Sequence, residues 1–271
     1  MARKKKKKLR TGIKVWLGLF AVLLLMLLTI LILGIAGKQI PVISDVFPTA
    51  PRNMRSREDF SEVDGRIVYL GASMGIDVSE HQQQIDWEAV KADGIEFAII
   101  RLGYRGSSEG GLFMDDCFAE NISGAQAAGL EVGVYFYSQA NSVAEAEFEA
   151  KYVLTALNGY SLQCPVFFDW EEGTPRSERL EGVSISDVCE FAKVFCRTVE
   201  EGGFKAGVYF NQKYGYGMRL YELQDYTFWL AEFNDAMTFG FDAQYWQYSY
   251  QGAVDGISTD VDLDLRFSTE D

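Results

Sequence analysis

The hydrophobic pattern divides the chain into three regimes. Val15 to Ala36 (VWLGLFAVLLLMLLTILILGIA) is an apolar run of 22 residues without a charge. At about 1.5 Å per residue a helix of that length spans about 33 Å, enough for the hydrocarbon core of a bilayer. Gly37 to Gly71 mixes charges with three of the chain's five prolines, Pro41, Pro48 and Pro51, and reads as a stem. From Ala72 to Asp271 short apolar runs alternate with longer amphipathic ones, as in a folded α/β domain.

Eight segments of that third regime read as strands: Gly75 to Ser79, Phe97 to Leu102, Val132 to Ser138, Pro165 to Glu171, Lys205 to Phe210, Phe228 to Phe233, Gln244 to Ser249 and Val261 to Leu265. Most are continuously apolar, which suits strands buried on both faces. Helical patterns fill the first four gaps at Trp87 to Ala92, Asp115 to Ala128, Ser142 to Leu157 and Ser184 to Glu201, and Asn211 to Thr227 has room for a fifth. The helix at Ser184 opens on a capping-box pattern with Asp187 and stops at Gly202 and Gly203. The last gaps, Asn234 to Ala243 and Tyr250 to Asp260, are brief and contain glycine. Parallel crossovers need about a dozen residues, usually with a helix. The expected fold is therefore an irregular TIM-like β/α barrel of about five β/α units plus three helix-poor strands, some antiparallel, behind an N-terminal transmembrane helix.

Charge sharpens the topology. Residues 1–38 carry nine basic residues and no acidic one, whereas the other 233 carry 16 basic and 39 acidic residues. Arg3, Lys4 to Lys8, Arg10 and Lys14 precede the apolar run, so the positive-inside rule puts a basic tail (1–14) in the cytoplasm and everything beyond residues 15–36 outside. The alternative, a cleaved signal peptide, needs an apolar region of about 7–15 residues, shorter than this one. The acidic globular part argues against nucleic acid as a partner. A single histidine, His81, excludes clustered His metal sites, and no metal or cofactor is expected. Cys117, Cys164, Cys189 and Cys196 contain no CxxC spacing and read as small buried residues, with disulfides permitted outside the membrane.

Candidate chemistry gathers at strand ends, where β/α barrels place their active sites. Asp169 and Glu171 end the apolar run Val166 to Phe168, and at i, i+2 they face the same way. Repulsion and partial burial would raise at least one of their pKa values, as a general acid requires. Asp77 lies mid-strand among apolar neighbours, a costly place for an idle charge. Asp262 and Asp264 share one face of the last strand, and alternation does not decide whether it points into the barrel mouth or into water. Tyr104, Tyr135, Tyr137, Trp170, Tyr209, Trp229, Trp246 and Tyr248 crowd the same ends, offering rings on which sugars pack. Gly71-Ala72-Ser73-Met74-Gly75 matches the serine-hydrolase pattern, but a strand follows it where a helix is required.

The order of these segments resembles family 25 glycoside hydrolases, the muramidase-type lysozymes. The resemblance rests on Gly75 to Gln82 (GIDVSEHQ), Ile85 to Trp87, Phe97 to Tyr104 (FAIIRLGY), Phe118 to Asn121, Ala127 to Ser138, Phe168 to Glu171 (FDWE), Gly207 to Tyr209, Trp229 to Phe233, Trp246 to Ser249 and Val261 to Asp264, across residues 72–271. It implies an incomplete α/β barrel. It also implies cleavage of the β-1,4 bond between N-acetylmuramic acid and N-acetylglucosamine in peptidoglycan, with retaining, inverting and substrate-assisted courses open. By position, Glu171 resembles the general acid, Asp169 the group that assists at the reacting sugar, and Asp77 and Asp262 the two further cleft acids. Tyr104, Tyr135, Tyr137, Tyr209, Trp229 and Gln247 are the expected glycan contacts. Two positions depart from the family: Gln83 stands where glycine is common, and Asp264 where asparagine is often found. The competing function is a catalytically silent wall-binding module tethered to the membrane. A polysaccharide deacetylase is disfavoured because its metal site normally takes more than one His.

Overall fold

The computed structural model describes Phe20 and residues 49–268. The basic tail, the apolar run apart from Phe20, and the stem up to Pro48 lie outside the described residues. Among the described residues no helix is long and apolar enough to cross a membrane.

The folded unit begins at Ala50. A hairpin of β1 (Phe60–Val63) and β2 (Arg66–Tyr69) comes first, followed by β3 (Ser73–Val78), α1 (Trp87–Ala92), β4 (Phe97–Arg105) and the short β5 (Leu112–Met114). Next come α2 (Phe118–Ala127), β6 (Glu131–Ser138), α3 (Val143–Ala156), β7 (Val166–Trp170) and α4 (Ile185–Glu201). The chain then runs through β8 (Ala206–Asn211), α5 (Gln212–Gly217), β9 (Thr227–Ala231), β10 (Tyr245–Gly252) and β11 (Val261–Arg266).

Eight strands close a barrel in the order β3, β4, β6, β7, β8, β9, β10, β11, and β5 folds back on β4. Every neighbouring pair is parallel except those made by β11, which runs antiparallel between β10 and β3. Five β/α units and three helix-poor strands are thus present, as the gap lengths indicate. The helices start where local chemistry tells them to. Asp86 caps α1 by accepting the Ala89 N–H at 3.1 Å, and Ser184 with Asp187 forms the capping box of α4.

Each strand serves two cores. Along β7, Phe168 packs outward on Phe195 of α4 (5.0 Å between centroids) and Trp170 on Tyr214 of α5 (5.7 Å). Phe167 turns inward with Phe97, Ile99, Trp229 and Tyr245 to fill the barrel. Glycines opposite the inner rings make this possible: a Cβ on Gly75 would stand 2.2 Å from the Phe97 ring, and one on Gly207 2.4 Å from Phe167.

The stem expectation is corrected for its described part. Residues 50–71 belong to the folded unit: Phe60 meets Trp246 and Phe267 edge-on at 5.3 and 6.2 Å, Tyr69 meets Phe267, and Arg55 pairs with Asp242 at 2.6 Å. The hairpin covers the outer face of β10 and β11, where no helix follows to do so. Its strands read FSEV and RIVY, too short and polar to announce themselves. All four cysteines are free, and Cys164, Cys189 and Cys196 are buried.

Candidate active site

The C-terminal ends of the parallel strands form the mouth. Inward-facing positions of β7 put Asp169 there, buried between Tyr137 of β6 and Tyr209 of β8, with which it is in register. Glu171, half-buried, follows just beyond the strand, its own N–H bonded to the Ser138 carbonyl at 3.3 Å. Asp77 arrives from β3 and Asp262 from β11, directly opposite one another in the antiparallel register. All four candidate acids therefore meet in one mouth. The face shared by Asp262 and Asp264 points into the barrel, with Asp262 at the mouth and Asp264 one layer deeper, opposite Gly75.

The surroundings hold these acids toward their neutral forms. Burial over the aromatic filling pushes Asp77 and Asp169 well above the usual carboxylate range, reinforced by Asp262 and Asp264 for Asp77 and by Glu171 for Asp169. Burial, then Asp262, raises Glu171. Burial lifts Asp262 to about 6, held back by contact with Asp77. Arg101, buried in the barrel beneath Asp169, is the cation opposing this trend. Its Nε lies 2.7 Å from Asp115 and its Nη2 2.9 Å from Glu80. Sequence reasoning did not single out Arg101, although the signal that marked Asp77, a charge inside an apolar strand, is present in FAIIRLG as well.

The expected glycan contacts separate into groups. Tyr135, Tyr137 and Tyr209 are half-buried and line the mouth; Tyr104 stands at its rim, stacked on Phe113 at 5.4 Å. Gln247 is buried. It donates from Nε2 to Asp77 at 2.7 Å and accepts the Tyr209 hydroxyl at 2.9 Å, so it holds Asp77 rather than facing the opening. Trp229 is only 2% exposed. Its ring lies 4.7 Å from Tyr209 and its indole donates to Asp264 at 2.8 Å, making it the floor beneath the contact surface. Trp170, Trp246 and Tyr248 face outward, and the indoles of the first two donate to the Ala140 and Glu232 carbonyls. Ser73, of the serine-hydrolase pattern, opens β3 at the end opposite the mouth, in register with Arg266.

A groove of about 540 Å³ leads from Tyr104 and Tyr137 between Gly106 to Ser108 and Gly173 to Ser177. Behind it Glu149 of α3 is fully buried against Arg105 (2.5 Å) and Ser138 (2.6 Å). Among the described residues no group of three or more His, Cys, Asp or Glu side chains is disposed to hold a metal ion.

Residues 76–257 match the family model described as glycosyl hydrolases family 25. The autolytic lysozyme of Clostridium acetobutylicum is 30% identical over 192 residues, 70% of this chain and 54% of that protein, so the chain spans about half the length of that relative. The bacterial lysozyme structure from Streptomyces coelicolor superposes with a TM-score of 0.61 at 26% identity, over 73% of this chain and 92% of the other. The modular autolysin LytC of Streptococcus pneumoniae, solved with a synthetic peptidoglycan ligand, has a TM-score of 0.64 at 24% identity, over 77% of this chain and 52% of the other, a likeness of fold. With the family model covering more than half of the chain and an acid-lined β/α barrel beneath it, this protein belongs to family 25 of the glycosyl hydrolases.

Proposed function

We propose that the domain hydrolyses the β-1,4 bond between N-acetylmuramic acid and N-acetylglucosamine in peptidoglycan. The carrying observation is Glu171, half-buried at the mouth of a family 25 barrel with Asp169 two residues earlier and deeper. Burial and the neighbouring Asp262 favour a protonated Glu171, which supports its reading as the general acid that protonates the leaving glycosidic oxygen. Asp169, beneath it, assists at the reacting sugar, either opposing positive charge or orienting the acetamido group. Asp77 and Asp262 complete the acid lining of the cleft, and Tyr135, Tyr137 and Tyr209 give the sugar rings faces and hydroxyls to pack on.

We further infer that residues 15–36 anchor the chain in a bilayer with residues 1–14 in the cytoplasm and the barrel outside, where the wall is. The support is the charge-free length of that run and the lysines preceding it. Tethering then supplies localisation, since an acidic domain gains nothing from attraction to an anionic wall.

The test uses the full-length protein in detergent. Incubation with purified peptidoglycan, borohydride reduction and analysis of the new reducing ends is expected to give muramitol. Glucosaminitol would identify a glucosaminidase, and no new ends would sink the hydrolase reading.

A further inference from the structure

Glu171 stands one residue beyond β7, where a strand's ladder ordinarily ends and the chain is free to splay. Here the ladder is carried on by two consecutive residues at the end of β6. The Glu171 N–H donates to the Ser138 carbonyl at 3.3 Å, and the Glu171 carbonyl accepts Nε2 of the Gln139 side chain at 3.3 Å. Both backbone groups of Glu171 are therefore held, one by main chain and one by a side-chain amide. Gln139 is only 2% exposed and is itself fixed, because its carbonyl accepts an N–H of the Arg179 guanidinium at 3.1 Å. The Ser138 hydroxyl donates to buried Glu149 at 2.6 Å, so the segment is clamped from behind as well.

The bonding of Gln139 is one-sided. Its Oε1 is buried and meets no donor among the described residues. A buried acceptor left unpaired costs stability, and an apolar side chain of the same size would fill the space without that penalty. What Nε2 does explains why an amide stands there. Gly173 makes room for it: at φ +73° this residue has no side chain where a Cβ would lie 2.9 Å from Nε2. The charged and titratable groups around Gln139 are Tyr137 on β6, Glu171 beyond β7, Arg179 on its carbonyl and, along the groove, Tyr104, Arg105 and Arg176.

We propose that Gln139 is a positioning residue whose side-chain amide holds the Glu171 backbone against the end of β6, so that the Glu171 carboxyl is presented half-buried at the mouth. Misplacing a reacting group by about 1 Å costs on the order of 100-fold in rate, so a bond to the backbone that carries the carboxyl bears directly on turnover. Released from it, Glu171 turns toward solvent and loses the burial that favours its protonated form. The inference rests on the reading of Glu171 as general acid for the effect on turnover, not for the posture of the side chain.

Full-length wild type, Gln139→Leu and Gln139→Glu, assayed on peptidoglycan in detergent, test this. Leucine is similar in size and has no donor, so kcat is expected to fall on the order of 10-fold with KM little changed and Tm unchanged or higher. The alkaline limb of its pH profile should move to lower pH. The carbon-13 resonance of the Glu171 carboxyl, identified by its loss in Glu171→Gln, should titrate at lower pH than in wild type. Glutamate is a conditional rescue: protonated, it offers an O–H to the Glu171 carbonyl, and ionised it offers none. Activity of Gln139→Glu relative to wild type should therefore be near full at acidic pH and fall as pH rises. An unchanged kcat in Gln139→Leu, a Glu171 titration identical to wild type, or a kcat loss that tracks a lower Tm overturns the proposal. If wild type releases no reducing ends, the muramidase reading fails by itself, and the carbon-13 titration still decides what Gln139 does.

Discussion

Asp77 and Asp262 face one another across the seam where the last barrel strand joins the first. The pair is made possible by the reversal of β11: Asp262 comes from the start of its strand and Asp77 from the end of β3, so only an antiparallel β11 brings both to the mouth. Their carboxyls are in hydrogen-bonding contact, and among the described residues neither makes a salt bridge.

Burial of Asp262 at that seam, only partly offset by the Asp77 contact, ties stability to pH. Asp262 titrates at about 6 in the folded protein against an ordinary 3.8. Between those values the folded state holds a proton that the unfolded chain has lost. The resulting stabilisation is fully present below 3.8 and disappears as pH rises through 6, at no more than about 1.4 kcal/mol per pH unit for one group. Chemical denaturation across that window should show stability falling as pH rises, and less steeply in Asp262→Asn. A rise with pH would contradict the assignment.

Glu171→Gln removes the transferable proton while keeping size and hydrogen-bonding capacity. Release of reducing ends from peptidoglycan should fall about 10²- to 10⁴-fold with unchanged thermal unfolding. Wild-type activity should itself decline on the alkaline side as the raised Glu171 carboxyl ionises. Equal turnover by the variant would leave a wall-binding module as the better description.

Gln247→Leu takes the donor from Asp77 and the acceptor from Tyr209 together. The expected kcat loss is on the order of 10-fold, the scale of one buried hydrogen bond. Tyr209→Phe releases only the lock on the amide and should cost less. A larger loss in Tyr209→Phe would mean that the hydroxyl touches substrate directly.

Away from the cleft, Glu149→Ala leaves the Arg105 guanidinium, 5% exposed, without its closest carboxylate partner. Breaking a buried pair in this way costs about 3–5 kcal/mol. Urea unfolding of the variant measures it, and a change near zero would mean that Glu145, 3.6 Å from Arg105, takes over the charge.

Gln83 has φ 55° and ψ −134°, a conformation that favours glycine. Holding a side chain there costs about 1–3 kcal/mol. Gln83→Gly is expected to raise Tm by about 2–4 °C even after the added freedom of the unfolded chain. A lower Tm would show that the side chain makes a compensating contact.

The barrel was legible because strands buried on both faces stay apolar, and its helix-poor closure because gap lengths limit what can join parallel strands. The acids were legible for the same reason: Asp77 and Asp169 interrupt runs that otherwise exclude charge. What alternation cannot supply is the sense of each face. Trp170 and Trp246 sit beside mouth residues in sequence yet point into the outer layer, and only closure of the barrel defines which side is inside. The hairpin escaped notice because its role depends on something missing elsewhere, the helices that β10 and β11 lack. Arg101 shows the opposite case, a signal present but read only as part of a motif.

The antiparallel closing strand also imposes an order of assembly. Asp77 is fixed by Gln247, 170 positions later in the chain, and faces Asp262, which arrives later still. Until β11 is inserted between β10 and β3 the cylinder is open, its aromatic interior is wet and the acids are solvated singly. A chain growing from its N-terminus therefore carries Asp169 and Glu171 long before it can use them. The full acid lining of the cleft exists only once nearly the whole polypeptide has been made, and a product truncated before residue 261 would lack Asp262 and the strand that closes the barrel however well its first five β/α units had formed.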